Sequence, residues 1–219
     1  MSPTPLTIIL DLDHTVLNTH KLKKMLAQCG VAYGVTPRMF WHAYRTVRQH
    51  CLVSPRALID ALPATTFGGL TSKSIESKLY KAFVNAIKDV GAYTYHDAQV
   101  FLRWATQKRC HVVFYTYGDP FQQRLKITGL KKQFRITKAV VTTKEAKHHD
   151  ILTCLPKKGP WIWLDDVPHF PEKSLHIDFR RGHYIQVRRK QHMPVVLRGD
   201  VHVVKNLSQA RKYIQHLLA

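Results

Sequence analysis

The sequence has few acidic residues, few cysteines and no long apolar run. Only 14 of its 219 residues are Asp or Glu, against 34 Lys and Arg, so the formal net charge is +20. This excess favours anionic partners such as phosphorylated metabolites or nucleic acid, although a host with a basic proteome would produce it too. The four cysteines form no CxxC pair, which argues against a disulfide framework or a zinc knuckle.

No apolar run approaches the roughly twenty residues of a membrane span. The first residues, Met1 to Pro5, have no basic stretch before the apolar run, unlike a signal peptide. We therefore expect a cytoplasmic protein that does not interact with membranes. We also expect it to be a monomer or a weak dimer.

Short apolar runs alternate with helical patterns along most of the chain. The runs are continuous rather than alternating apolar and polar, as in strands that are covered on both faces. This order predicts an α/β fold, a Rossmann-like three-layer sandwich with a mostly parallel sheet. The predicted strands are Thr7 to Leu10, Val112 to Tyr115, Ala139 to Thr142, Trp161 to Leu164, Tyr184 to Val187 and Val201 to Val204.

A long segment after the first strand, residues 18–93, has almost no strand signal. Thr36-Pro37 and Ser54-Pro55 each place a capping hydroxyl before a proline suited to a first helical turn. Apolar residues then recur at helical spacing. We predict two domains: a catalytic core of residues 1–17 and 94–219, and a small all-helical cap of residues 18–93.

The first strand ends in two carboxylates and a threonine, Asp11, Asp13 and Thr15. Side chains two residues apart lie on the same side of an extended chain, so both carboxylates face one way. Such a pair indicates a bound cation, an acid/base pair, or both. The alternative is a strand followed by a capped turn, in which these side chains satisfy backbone amides. His14 is expected to be a turn or gate residue.

Other chemically useful residues also follow predicted strands. Thr116, Tyr117 and Gly118 end the second strand, and Asp165 and Asp166 follow the fourth. Lys147 precedes the helix expected after the third strand, with Lys144 as its competitor. Ligands of open parallel sheets bind beyond the carboxyl ends of the strands, so we expect these residues to converge on one crevice.

These motifs, in this order, resemble those of the haloacid dehalogenase-like (HAD) superfamily. The stretch from Thr116 to Lys126 also resembles the T-x-G-x-x-x-Q-x-x-K pattern of the family's phosphatases, and the insertion lies where members carry a helical C1-type cap. The matched residues are Asp11, Asp13 and Thr15 in the first motif, Thr116 in the second, Lys147 in the third, and Asp165 and Asp166 in the fourth.

The resemblance implies a magnesium-dependent phosphomonoester hydrolase. Asp11 would be the nucleophile that forms an aspartyl-phosphate, and Asp13 the general acid and base. Thr116 and Lys147 would complete the catalytic set, and together with Tyr117 and Gly118 they would bind the phosphate of the substrate. The implied Mg²⁺ ligands are Asp11, Asp13 through its backbone carbonyl, Asp165 and Asp166.

The expected substrate is a small phosphorylated metabolite. The family's dehalogenases lack the second carboxylate, so Asp13 favours phosphate chemistry. A phosphatase for nucleic-acid ends, a phosphotransferase and a catalytically silent binding module remain alternatives. The aromatic residues considered for base stacking are Trp41, Tyr44, Tyr93 and Tyr95.

Two basic regions bear on these alternatives. The insertion from residue 19 to 93 contains eleven Lys and Arg and three acids, with Lys21, Lys23, Lys24, Arg45 and Arg48 as candidate substrate contacts. Residues 179–198 carry six Lys and Arg and no acid, and we expect them to be solvated.

Overall fold

A six-stranded parallel sheet forms the centre of the protein. The computed structural model describes residues 4–63, 66, 72–144, 151, 153–167, 182–189 and 201–218. All five strand pairings are parallel, in the order β3-β2-β1-β4-β5-β6. The predicted α/β, Rossmann-like fold is confirmed. The strands are β1 (Thr7–Leu10), β2 (His111–Tyr117), β3 (Lys138–Thr142), β4 (Trp161–Asp165), β5 (Gly182–Val187) and β6 (Val201–Val204).

Seven α-helices occur in the described part of the chain. None of them is long and apolar enough to cross a membrane. Two begin with the caps expected from the sequence, because the hydroxyls of Thr36 and Ser54 accept hydrogen bonds from backbone N–H groups three residues on. The helices are α1 (Thr19–Val31), α2 (Pro37–His50), α3 (Pro55–Asp60), α4 (Ser72–Lys88), α5 (His96–Gln107), α6 (Pro120–Lys131) and α7 (Leu207–Leu217).

The central strands are buried on both faces, as their continuous apolar sequences require. On one face, Ile9, Tyr115 and Trp163 pack in a cluster that also contains Tyr184. Alternation along the strands turns Ile8, Leu10 and other fully buried residues to the opposite face. Helices α5 and α7 pack on each other and on strands of the sheet.

The chain divides into two compact units. The first consists of residues 1–18, 94–117 and 131–219, and contains the sheet. The chain leaves and re-enters it at adjacent points, since Leu17 and Thr94 form an antiparallel bridge.

The second unit consists of residues 19–93 and 118–130, so α6 groups with the inserted helices. Gly129 lets α6 approach the end of α4 closely, because a Cβ at position 129 would lie 2.5 Å from the carbonyl oxygen of Lys88. Within the insertion, α1 packs on α2 and α4, and α3 packs on α2 and α4.

Candidate active site

The carboxyl ends of three neighbouring strands bring the acidic motifs together. Asp11 follows the last residue of β1, and its backbone N–H donates to the carbonyl of Leu164 in β4 at 2.9 Å. Asp165 is the last residue of β4 and Asp166 follows it. Thr116 lies near the end of β2, on the other side of β1. The strand order therefore places these residues at one edge of the sheet, as expected for a ligand site.

Three carboxylates form a tight, buried cluster at this edge. Asp11, Asp165 and Asp166 are 2%, 0% and 5% exposed, and each offers a ligand oxygen within 4.8 Å of the others. Like charges this close repel one another, and a cation shared between them removes that repulsion. An all-oxygen donor set of this kind fits Mg²⁺, which prefers carboxylate oxygens and water. The residues present therefore fit the divalent cation that the resemblance implies.

The loop that carries the acidic pair is held by its own hydrogen bonds and by β5. The backbone N–H of Val167 donates to Oδ1 of Asp165 at 3.0 Å, while the fully buried Gln186 donates from Nε2 to the carbonyl of Asp166 at 3.3 Å. The hydroxyl of Tyr184 donates to the carbonyl of Val167 at 2.7 Å. These bonds hold one carboxylate oxygen of Asp165 and the backbone of Asp166 and Val167.

A compact turn follows Asp11. The N–H groups of Val16 and Leu17 both donate to the carbonyl of Leu12, at 3.0 and 2.8 Å. His14 has φ of 64°, a left-handed conformation in which a residue other than glycine is strained, and its N–H donates to the carbonyl of Leu17. The geometry places His14 in a turn, where the sequence predicted it.

Asp13 is half-buried in this turn, and its carboxylate is not part of the acidic cluster formed by the described residues. Asp11 lies in the buried cluster with Asp165 and Asp166, whereas Asp13 is partly exposed. A group that exchanges protons needs such access to solvent. A role for the Asp13 backbone carbonyl as a metal ligand stays a prediction.

Two buried threonine hydroxyls lie in the same motifs. Thr15 and Thr116 are fully buried, and the Oγ1 atom of neither has a hydrogen-bond partner among the described residues. A buried hydroxyl without a partner is energetically unfavourable, by about 1–3 kcal/mol. At Thr116, near the end of β2, a bound anion would supply the missing acceptor.

Three more of the predicted site residues lie at the end of β2 or just after β3. Tyr117 is half-buried at the end of β2, and Gly118 follows with φ of 146°, a conformation that strains any other residue. Lys144 is exposed, and its N–H donates to the hydroxyl of Thr142. Lys147, the preferred motif lysine, lies outside the described residues.

An ion-pair network that the sequence did not predict lies next to the turn after Asp11. Arg189 donates to both carboxylate oxygens of Asp97, at 3.1 and 3.0 Å, and from Nε and Nη2 to the carbonyl of Thr15, at 3.0 and 2.6 Å. Its guanidinium also lies 3.8 Å from the centre of the Tyr95 ring. Asp97 further accepts the N–H of Leu207, the first residue of α7.

The expectation that residues 179–198 are solvated is therefore wrong for Arg189, whose side chain is 9% exposed. It is buried because its partners come from a helix and a turn far away in the sequence. Residues 179–181 and 190–198 lie outside the described part of the chain. The one sequence feature that could have indicated this ion pair is Asp97, an acidic residue in the first turn of α5.

Tyr95 links this network electrostatically to the acidic cluster. Burial raises the pKa of the Tyr95 phenol, the charge of Arg189 lowers it, and the negative charges of Asp166 and Asp97 raise it further. The phenol is thus held in its neutral form beside the site. The sequence made Tyr95 a candidate for base stacking, but Arg189 covers its ring.

Comparison with solved structures places this architecture among known folds. A protein described as a haloacid dehalogenase-like hydrolase from Burkholderia xenovorans is 17% identical and matches 99% of this chain and 100% of its own, with a TM-score of 0.63. L-2-haloacid dehalogenase from Xanthobacter autotrophicus is 13% identical, covering 97% and 99%, with a TM-score of 0.58. A HAD-type hydrolase from Bacillus subtilis bound to magnesium is 10% identical, covering 97% and 99%, with a TM-score of 0.51.

No family model matches the sequence, and no curated protein matches it significantly. The structural similarity nevertheless shows that the chain has the haloacid dehalogenase-like hydrolase fold, with a buried aspartate cluster at the ends of its strands. The resemblance drawn from the motifs is confirmed at this level. The C1 type of the cap stays a prediction.

Proposed function

We propose that the protein is a magnesium-dependent phosphomonoester hydrolase that forms an aspartyl-phosphate and acts on a small phosphorylated metabolite. The observation that carries this proposal is the buried cluster of Asp11, Asp165 and Asp166, whose ligand oxygens lie within 4.8 Å of one another. Mg²⁺ held there would neutralise the charge of the phosphate oxygens. Asp13 favours phosphate hydrolysis over dehalogenation, although L-2-haloacid dehalogenases are among the structural neighbours.

The chain supplies the rest of the reaction. A carboxylate oxygen of Asp11 attacks phosphorus while the bond to the ester oxygen breaks, and Asp13 gives its proton to the leaving oxygen. Water then attacks phosphorus, Asp13 takes up a proton from it, and the bond between Asp11 and phosphorus breaks. Phosphate is released and both carboxylates return to their starting state. The hydroxyl of Thr116 and the ammonium group of Lys147 hold the phosphate in position.

A panel of phosphorylated metabolites, with an aryl phosphate as general substrate, tests the proposal. We expect phosphate release that needs magnesium and stops on chelation. Asp11→Asn should lower turnover by at least a thousandfold, since it removes the nucleophile. Asp60→Asn is the matched control, because Asp60 is exposed on α3 and pairs only with Arg56 across one helical turn among the described residues.

Dehalogenation is measured in parallel as chloride release from 2-chloropropionate. Chloride release without phosphate release from any compound would refute the phosphatase proposal. The strongly basic charge supports a second candidate, a phosphatase for nucleic-acid ends, so the panel includes oligonucleotides with 3′- and 5′-phosphates. Selective turnover of these would identify the substrate class.

A further inference from the structure

The inserted helices present a strongly basic surface with little to balance it. No Asp or Glu occurs between His14 and Ile59, a stretch that carries seven Lys and Arg. Helix α2 contains three of them and buries Phe40, Ala43 and Val47 against its own unit. The opposite side of the helix is therefore largely exposed, and all of its charged side chains are basic.

This exposed side of α2, which we call the basic face, is defined by Arg38, Trp41, His42, Arg45 and Arg48. The four basic side chains are exposed, and Trp41 is half-buried. Trp41 lies three residues after Arg38, four before Arg45 and seven before Arg48, spacings that put all four on one side of a helix. An aromatic residue thus shares this side of α2 with three arginines.

The cations of the basic face have no internal electrostatic role. Arg38, Arg45 and Arg48 form no ion pair or hydrogen bond through their side chains among the described residues, unlike Arg56 and Arg189, which pair with aspartates. Three arginines on one side of a helix repel one another, and an external anion relieves the repulsion. Their charge is available to a partner.

The basic face also has a shape that accepts a ligand. Arg38, Met39, His42, Arg45 and Pro63 line a depression of about 360 Å³. This volume is within the range of small-molecule pockets.

Two aromatic rings of α2 lie close to each other and to a cation of α1. The Trp41 and Tyr44 rings meet edge to face, 5.8 Å apart, and the ammonium group of Lys23 in α1 lies 4.7 Å from the centre of the Tyr44 ring. Aromatic rings set among cations are the elements with which proteins hold unpaired bases and the phosphate backbone of single strands.

We propose that the basic face of α2 binds single-stranded nucleic acid, with phosphates on Arg38, Arg45 and Arg48 and a base stacked on Trp41. An anionic lipid surface fits less well, because the basic face lacks exposed large apolar side chains to insert among acyl chains. The proposal does not depend on the catalytic activity, since it concerns binding by the helical unit.

The test is fluorescence anisotropy with a labelled single-stranded oligonucleotide of about 20 nucleotides, long enough to cover such a surface. The oligonucleotide carries no terminal phosphate, and the buffer contains a chelator, so hydrolysis does not contribute. We expect binding that weakens as salt rises from about 50 to 200 mM. The triple variant Arg38→Gln, Arg45→Gln, Arg48→Gln should bind at least tenfold more weakly and reduce the slope of log affinity against log salt by about 2.

The matched control is Lys73→Gln, Lys78→Gln, Lys81→Gln, which removes the same charge from exposed positions of α4 in the same unit. Trp41→Leu should weaken binding roughly tenfold and leave the salt slope unchanged, because stacking involves no counterion release. Circular dichroism confirms that each variant is folded, and single arginine variants replace the triple variant if it is not.

Three results would overturn the proposal. Equal weakening by the α4 control would show that net charge and not the basic face attracts the oligonucleotide. Unchanged binding by the arginine variant would place any site elsewhere. Tight binding to vesicles of anionic lipid, lost in the arginine variant, with no oligonucleotide binding would identify a membrane as the partner. Because catalysis is not measured, none of these outcomes bears on the phosphatase proposal.

Discussion

Replacing Arg189 by Met should destabilise the sheet-containing unit by about 3 kcal/mol. This is the lower end of the roughly 3–5 kcal/mol that follows when one partner of a buried ion pair is removed. The lower end applies because Asp97, once it loses Arg189, keeps the N–H of Leu207 as a donor and is 20% exposed. Met fills much of the volume of the arginine stem, so little of the cost comes from a cavity.

The effect is measured by urea unfolding at neutral pH, followed by tryptophan fluorescence. Three of the four tryptophans, Trp104, Trp161 and Trp163, belong to the sheet-containing unit, so the signal mainly reports its unfolding. Arg103→Met is the matched control. Arg103 is exposed on α5, and its bond to Gln99 is solvent-exposed, so its loss should change the unfolding free energy by less than about 0.5 kcal/mol.

A double-mutant cycle separates the ion pair from the other contacts of Arg189. Asp97→Asn removes the charge but keeps an oxygen for the N–H of Leu207. In the double variant no uncompensated carboxylate remains, so its loss of stability should fall short of the summed single effects by about 1–2 kcal/mol. Strict additivity, or an Arg189→Met effect no larger than that of Arg103→Met, would refute the reasoning.

Three further predictions follow from the structure. Gln186→Leu removes the hydrogen bond to the carbonyl of Asp166 and should lower magnesium affinity by about tenfold in a calorimetric titration. Unchanged affinity would mean that this bond does not orient the site. Because burial raises the pKa of Tyr95 above its ordinary 10.0, folded protein retains a proton there that unfolded protein loses as pH rises above 10.0. The unfolding free energy should therefore fall above pH 10.0, and it should fall less steeply in Tyr95→Phe; equal slopes in the two proteins would contradict this. Iodoacetamide should label the exposed Cys51 in native protein and Cys110, whose thiol pKa burial raises, only after unfolding, as mass spectrometry of the labelled protein can check.

Most of the fold could be predicted from the sequence because its signals are local. Continuous apolar runs such as Val112 to Tyr115 mark strands covered on both faces, and the cap at Thr36 marks a helix start. The limits of the second unit depended on long-range packing. Helix α6 follows β2 directly in the chain, yet it groups with the insertion, where Gly129 meets the backbone of Lys88.

The same division applies to the candidate site. The sequence indicates which residues end the strands, and parallel strands bring such ends to one edge, so the grouping of Asp11 with Asp165 and Asp166 was predictable. The folded structure was needed to show that Asp13 lies outside this cluster and that Arg189 is buried. Arg189 contacts the carbonyl of Thr15 across 174 positions of the sequence. Periodicity and capping report interactions over a few residues, whereas a charge becomes buried only when the folded chain brings its partners to it.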